Sequence, residues 1–314
     1  MIFEDIQVAA KILKEGGVVA FPTETVYGLG ADALNAEAVA KVFAIKGRHS
    51  HNPLIVHVSS IEMAITVAGE WPEMADTLAR VFWPGPLTIV VPRGAMVPDV
   101  VTGGGPTVAL RMPAHDFARR LIDTFGGPLV GPSANASGTV SPTTAAHVVQ
   151  SLGDELPVLD GGPCDRGIES TVVRVEKTGV SILRLGVIGR EEIEMFVPVV
   201  EAAASDPLTA LPSPGMLTRH YAPRTPTRVV SASEIAKELS THPNAALLSI
   251  TPTNRPMTIP MPADASAYAG RLYAALREAD TMGSDLILVE RPDGVGSIWD
   301  AVRDRLARAS ATED

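Results

Sequence analysis

The sequence predicts a mixed α/β chain of two units. The first, residues 1–190, is a twisted mixed sheet with helices packed on it. The second, residues 227–314, is a small βαβαβα parallel sheet. Three observations carry this. A length of 314 residues suits about two domains. Strand-like runs in the first 190 residues arrive in clusters, without the strict βα alternation of a parallel sheet. After residue 227 the alternation becomes regular. Six prolines between 198 and 226 mark residues 191–226 as a semi-rigid linker.

Taken along the chain, apolar residues at helical spacing (Ile6, Ala9, Ala10, Leu13) end at the stop signal Gly16-Gly17. The apolar run Val18–Phe21 then meets Pro22. Residues 36–45 are helical in period, with Val39, Val42 and Phe43 on one side. Strands are expected at 54–58, 87–91, 107–111, 171–175 and 181–185. Helices are expected at 73–82, 116–125 and 143–152. In the second unit strands at 228–230, 245–250 and 286–290 alternate with helices at 233–239, 265–282 and 298–309.

Composition excludes several classes of function. A net charge of −10 and only 14 aromatic residues argue against a nucleic-acid scaffold, which needs clustered positive charge or stacking platforms. The first 190 residues alone carry 15 bases against 19 acids. Apolar runs such as Leu87–Val91 are far too short to span a bilayer. The acidic opening Met-Ile-Phe-Glu-Asp does not read as a signal peptide. A single cysteine, Cys164, rules out an intrachain disulfide and suits a reducing compartment, so a cytoplasmic location is expected. No cluster of bases activates Cys164, which reads as structural.

The polar run Lys46-Gly-Arg-His-Ser-His-Asn-Pro53 lies between a helix and a strand, where α/β proteins place ligand contacts. Lys46 and Arg48 suit a multiply charged anion, although a solvated basic turn has the same pattern. His49, His51 and His57 lack metal-ligand spacing, so no metal site is expected. His57 shares a strand face with Ile55, which suits a core histidine as well as a ligand contact. Thr107 and Arg111 share a face of another strand, roughly 13 Å apart. Gly131-Pro-Ser133-Ala-Asn135 ends a short apolar run in small donors. It resembles an anion nest and lacks the second glycine of a nucleophile elbow. Neither a Walker-type loop nor a Gly-x-Gly-x-x-Gly turn is present.

Together the segments resemble the YrdC-like superfamily, and within it the long, two-domain threonylcarbamoyl-AMP synthases. The blocks that carry the resemblance are Phe21-Pro-Thr-Glu-Thr-Val-Tyr-Gly-Leu-Gly30, Lys46-Gly-Arg48 with Asn52-Pro-Leu-Ile-Val-His57, Trp83-Pro-Gly-Pro-Leu-Thr88 and Val108-Ala-Leu-Arg-Met-Pro113. They continue through Pro132-Ser-Ala-Asn-Ala-Ser-Gly138, Glu169-Ser-Thr171, Ile182-Leu-Arg184, Ser213-Pro-Gly-Met216 and His220-Tyr-Ala-Pro223. The last unit matches only in length, position and the 272–277 helix. Two departures are the histidine-rich His49-Ser-His51 and the tryptophan in Gly296-Ser-Ile-Trp299.

The resemblance implies a sheet around a cationic cavity. It implies an adenylyltransferase that converts L-threonine, bicarbonate and ATP, carried with Mg²⁺, to threonylcarbamoyl-AMP and pyrophosphate. The product would pass to a tRNA threonylcarbamoyl transferase, with no stable nucleic-acid or membrane binding by this chain. It implies threonine contacts from Thr25, His57, Arg111, Gly131 and Ser170. ATP contacts would come from Arg48, Asn52, Thr107, Ser133, Ser141, Arg184 and the linker's Tyr221. Lys46, Arg48, Ser133 and Asn135 would form the catalytic anion-holding core, under a lid spanning 213–223. An RNA-binding translation or ribosome-assembly factor of the same superfamily is the alternative. A carbamoyl transferase of protein maturation would carry zinc-finger cysteines, which a single cysteine argues against.

Overall fold

A computed structural model describes residues 1–201 and 220–311. Residues 213–216, expected to start the lid, lie outside them.

The first unit contains β1 (Ile2–Phe3), α1 (Ile6–Lys14), β2 (Val19–Phe21), β3 (Gly28–Asp32), α2 (Ala36–Lys46), β4 (Ile55–His57), α3 (Ile61–Val67), α4 (Glu73–Phe82) and β5 (Leu87–Pro92). It continues with α5 (Asp99–Thr102), β6 (Thr107–Arg111), α6 (Asp116–Phe125), β7 (Leu129–Val130), α7 (Ala145–Leu152), β8 (Val158–Leu159), β9 (Thr171–Val175), β10 (Val180–Arg184) and α8 (Arg190–Glu194). Its strands form one ten-stranded sheet, ordered β1-β8-β2-β3-β7-β4-β6-β5-β9-β10. Pairing is mixed: β4 runs parallel to β6, while β7 runs antiparallel to β4.

The two faces of this sheet bury separate cores. Along β2, Val19 and Phe21 join α1 and α6 on one side, and Ala20 faces the other. The sequence reading missed β1, β3, β7 and β8. Three of them are only two residues long and have no readable period. The fourth, Gly28-Leu-Gly-Ala-Asp32, looks like a loop. Gly30 is nevertheless required inside a strand, because a Cβ there would lie 2.9 Å from the Phe21 ring.

Helix α2 sets the first edge of the site. The Asn35 side chain accepts from the backbone N–H groups of Glu37 and Ala38, at 3.0 and 3.2 Å, and starts the helix. Gly47, at φ 59°, ends it in the left-handed region. The turn buries Lys46 and carries Arg48 toward the sheet.

The second unit comprises β11 (Thr227–Val230), α9 (Ile235–Thr241), β12 (Ala246–Ser249), β13 (Thr258–Pro260), α10 (Ala265–Asp280), β14 (Ile287–Glu290) and α11 (Ser297–Ala309). Its sheet is fully parallel, ordered β11-β14-β12-β13. The expected βαβαβα pattern thus gains a fourth strand. β13 is three residues with a terminal proline, hidden in the Pro- and Thr-rich stretch 251–260. Proline is acceptable there because β13 is an edge strand.

The two units share a core. Val26, Val140, Ile168 and Tyr221 pack with Tyr268, Leu272, Tyr273 and Trp299 of α10 and α11. Trp299, the unusual tryptophan of the tail, is therefore a packing residue, with Tyr268 edge-on at 5.2 Å. Arg277 of α10 bonds back to Val140 O and to Ser151 Oγ (2.8 Å).

Candidate active site

At this junction a cavity is lined by Thr25, Val26, Arg48, Ile55, His57, Arg111, Gly131, Pro132, Ser133, Glu169, Arg184, His220 and Tyr221. Eight residues expected from the sequence thus converge from six separate segments. Parallel pairing of β4 and β6 puts His57 directly beside Arg111. The β9–β10 hairpin brings Arg184 to Ser170.

The Arg111 end is buried and tightly built. Arg111 Nη1 donates to Thr25 Oγ1 at 2.9 Å, and Thr25 Oγ1 lies 2.8 Å from Thr23 Oγ1. Arg111 Nη2 lies 2.8 Å from Glu24 Oε1, both side chains buried. The contact is an ion pair, and neither Glu24 oxygen has a hydrogen-bond partner among the described residues. His57 is edge-on to Phe21, with ring centroids 5.7 Å apart. Burial, reinforced by the Arg111 charge, pushes the His57 imidazole down to about 3, so it is neutral near pH 7. Its Nδ1 has no hydrogen-bond partner among the described residues. A Cβ on Gly131 would lie 2.6 Å from that Nδ1, so only glycine fits beside the ring.

The Arg48–Arg184 end is richer in charge. Arg48 braces its own loop, donating to Asn52 O (3.4 Å) and Pro53 O (3.2 Å). Burial lowers its guanidinium to about 10, which leaves it charged. Arg184 donates to Ser170 O and Ser170 Oγ, each at 3.0 Å, and Thr88 Oγ1 lies 2.8 Å from Ser170 Oγ. Ser170 thus stands behind the wall and orients Arg184.

Other expected residues are placed differently from a direct ligand contact. Lys46 does not line the cavity. Its ammonium is buried against Ser133 O and Asn135 O (2.7 Å for the latter). Burial, with Arg48 nearby, lowers it well below the usual lysine range. Lys46 therefore shapes the Ser133–Asn135 loop from behind. Asn135 Nδ2 donates to Thr139 O at 2.8 Å, which tightens that loop. Asn52 is buried in the Arg48 turn. Ser141 Oγ donates to Glu169 Oε1 at 2.7 Å. Thr107 lies at the far end of β6 beside Pro92 and is not among the cavity residues. His49 and His51 are exposed.

Glu24, Glu169 and His220 are site residues that the sequence reading quoted in motifs but did not assign. An acidic side chain in a site read as cationic gave no signal of its own. Each carboxylate is balanced by an arginine distant in sequence, Arg111 for Glu24 and Arg305 for Glu169. Burial alone would raise the Glu169 carboxyl, but Arg305, Arg184 and the Ser141 hydrogen bond hold it down at about 2.

The linker supplies the fourth wall. Ala222 N donates to Gly138 O at 3.0 Å, which fixes His220 and Tyr221 over the cavity. The Tyr221 ring stacks on Tyr273 at 5.6 Å, and the Arg305 guanidinium sits 5.2 Å from its centroid. With these rings inserted the cavity is about 50 Å³. That is far below the roughly 300–1,000 Å³ of small-molecule sites.

Cys164 is buried, and burial raises its thiol, as a structural cysteine requires. Among the described residues no cluster of three metal-ligating side chains occurs, and no helix is long and apolar enough to cross a membrane.

Comparison with known proteins identifies the family. A family model described as "Telomere recombination" (Sua5_yciO_yrdC) matches residues 11–186. A second, "Threonylcarbamoyl-AMP synthase, C-terminal domain" (Sua5_C), matches residues 188–311. The chain is 40% identical to the threonylcarbamoyl-AMP synthase of Pyrococcus abyssi, over 97% of this chain and 94% of that one. It is 41% identical to that of Bacillus subtilis, over 96% and 92% respectively. The crystal structure of P. abyssi Sua5 complexed with L-threonine superposes with a TM-score of 0.88 at 38% identity, covering 99% of this chain and 97% of that one. With both family domains present in order and relatives matched nearly end to end, the chain belongs to the threonylcarbamoyl-AMP synthase family, in its two-domain form.

Proposed function

We propose that this chain is an L-threonylcarbamoyladenylate synthase acting by adenylyl transfer. The threonine amine adds to the bicarbonate carbon, a C–O bond breaks and water leaves, giving a carbamate on the threonine nitrogen. A carbamate oxygen attacks the α-phosphorus of ATP, the bond to the β-phosphate oxygen breaks, and pyrophosphate leaves. Such a displacement needs alignment and charge stabilisation more than a protein nucleophile. The observation that carries the reading is the convergence of Arg48, Arg111 and Arg184 on one cavity beside a neutral His57.

Two chemically different ends support a division of labour. The Thr25–His57–Arg111–Gly131 end is small and buried, suited to an amino acid with one carboxylate and one methyl group. Arg111 offers a planar fork for the carboxylate, although it already faces Glu24. Ser170, expected at this end, instead orients Arg184 at the other. The Arg48–Ser133–Arg184 end suits a polyphosphate, with Asn52, Ser141 and the Lys46-braced Asn135 shaping it and Tyr221 closing over it. Thr107 is too far along β6 to share that role unless the ligand extends past Ala109.

Mg²⁺ would arrive on the phosphates of ATP. The described residues offer it no carboxylate cage, because Glu24 and Glu169 are each committed to an arginine, so no residue is assigned to it. Residues 220–223 would act as the end of a lid that excludes water from the labile carbamate and mixed anhydride. The product would go to a transferase that modifies tRNA, and this chain itself needs no tRNA contact. The relatives' names do not favour an RNA-binding factor.

Product identification tests the reading. Incubation with threonine, bicarbonate, ATP and Mg²⁺, followed by rapid quenching and mass spectrometry, should show threonylcarbamoyl-AMP. Accumulation of AMP alone, at a rate indifferent to threonine, would reject it.

A further inference from the structure

The C-terminal unit sends two buried side chains to the edge of the cavity, Tyr273 from α10 and Arg305 from α11. Both end on the same oxygen of Glu169. Tyr273 OH donates to Glu169 Oε2 at 2.8 Å, and Arg305 Nε donates to it at 2.9 Å. The other oxygen, Oε1, accepts from Ser141 Oγ at 2.7 Å. Arg305 Nη2 donates to Leu185 O at 2.8 Å, the residue after Arg184, and Nη1 donates to Asp304 at 2.6 Å. The Arg305 side chain is 0% exposed.

This geometry raises a physical question. Glu169 places a negative charge in the wall of a cavity that otherwise gathers guanidiniums for an anion. A carboxylate there repels a polyphosphate and competes with it for Arg184. A buried carboxylate that loses its counter-ion is also strongly disfavoured. Arg305 is the side chain that meets this charge, and it comes from the unit to which no chemistry is otherwise assigned.

We infer that Arg305 is a positioning residue for nucleotide binding, pinning and neutralising Glu169 so that the carboxylate holds Ser141 without opposing the phosphates. The inference rests on reading Ser141 and Arg184 as part of the nucleotide end of the site. It gives the C-terminal unit a place in the reaction. That unit supplies the counter-ion that makes an acidic residue tolerable beside a polyphosphate.

The test uses the full-length chain and steady-state kinetics with ATP and threonine varied separately. R305M keeps the length of the stem but removes the charge. It should raise the KM for ATP at least about tenfold, the equivalent of about 1.4 kcal/mol, while the KM for threonine changes less than about twofold. E169Q/R305M removes both charges and should bring the ATP KM back to within about threefold of wild type, a rescue that loss of packing alone would not produce. An unchanged ATP KM in R305M, equal shifts in both KM values, or no recovery in the double variant each overturns the inference. Should R305M melt below the assay temperature, the same split is read on R305K, with the ATP KM raised about three- to fivefold and the threonine KM unmoved. Equal shifts there overturn the inference as well. A wild-type chain that forms no threonylcarbamoyl-AMP would sink the functional reading. Wild-type activity with R305M unaltered would sink only the role of Arg305.

Discussion

His57 shows how burial decides chemistry at the level of one side chain. Its imidazole is held down at about 3, against 6.5 for the free group, first by desolvation and then by Arg111. The unfolded chain therefore takes up a proton between about pH 6.5 and 3 that the folded chain refuses. Folding stability must fall as pH drops through that window, by about 1.4 kcal/mol per pH unit for each such histidine. His220, also held at about 3, and His147, at about 4, act in the same direction. Glu169, held at about 2, adds a loss only below its ordinary range near 4.5. Thermal melts between pH 6.5 and 5 should thus show a falling midpoint, with a shallower slope in His57→Asn. Equal slopes for variant and wild type would mean that His57 is not buried as a neutral ring. Gly131→Ala tests the same corner sterically. A Cβ only 2.6 Å from His57 Nδ1 forces the ring or the β7 loop to move, costing about 1–3 kcal/mol in melts and raising the threonine KM. Wild-type values for both would refute the close packing. L-Serine in place of threonine should lose roughly 10–200-fold in kcat/KM, the range one methyl contact allows.

At the scale of elements, the linker and the short strands divide what was readable from what was not. Strands β4, β5, β6, β9 and β10 and helices α1, α2, α4, α6 and α7 were legible within a residue or two. Their apolar periods are long enough to register. The two-residue strands β1, β7 and β8 were not legible, because a sheet neighbour defines them and a period does not. Residues in the site were legible where they are cations or small donors in loops beside strands. Glu24 and Glu169 escaped because their meaning depends on Arg111 and Arg305, 87 and 136 residues away in sequence. Lys46 was legible as important, but its burial under two carbonyls could not be read from its neighbours in sequence. The linker's Tyr221 carries a testable consequence. Tyr221→Ala removes the ring stacked on Tyr273 and beneath Arg305. Loss of a buried aromatic costs about 3–5 kcal/mol of stability. Under the lid reading it should also raise the share of ATP hydrolysed without product. An unchanged ratio of product to pyrophosphate would contradict the lid.

For the whole molecule, two domain cores meet along α10 and α11, and the site lies at their seam. The net charge of −10 is compatible with a polyphosphate site because the relevant cations are few and gathered at one place. Three guanidiniums converge there, with Glu169 among them and Glu24 behind Arg111. A long-range basic field, as RNA binding requires, is not needed for this chemistry. The central claim is that one cavity couples threonine, bicarbonate and ATP. The most direct measurement is pyrophosphate release from the purified full-length chain with each of the three omitted in turn. The account predicts release only when all three are present, with less than about a tenth of that rate in any omission, a difference of about 1.4 kcal/mol in barrier. Release that persists without threonine or bicarbonate would contradict it.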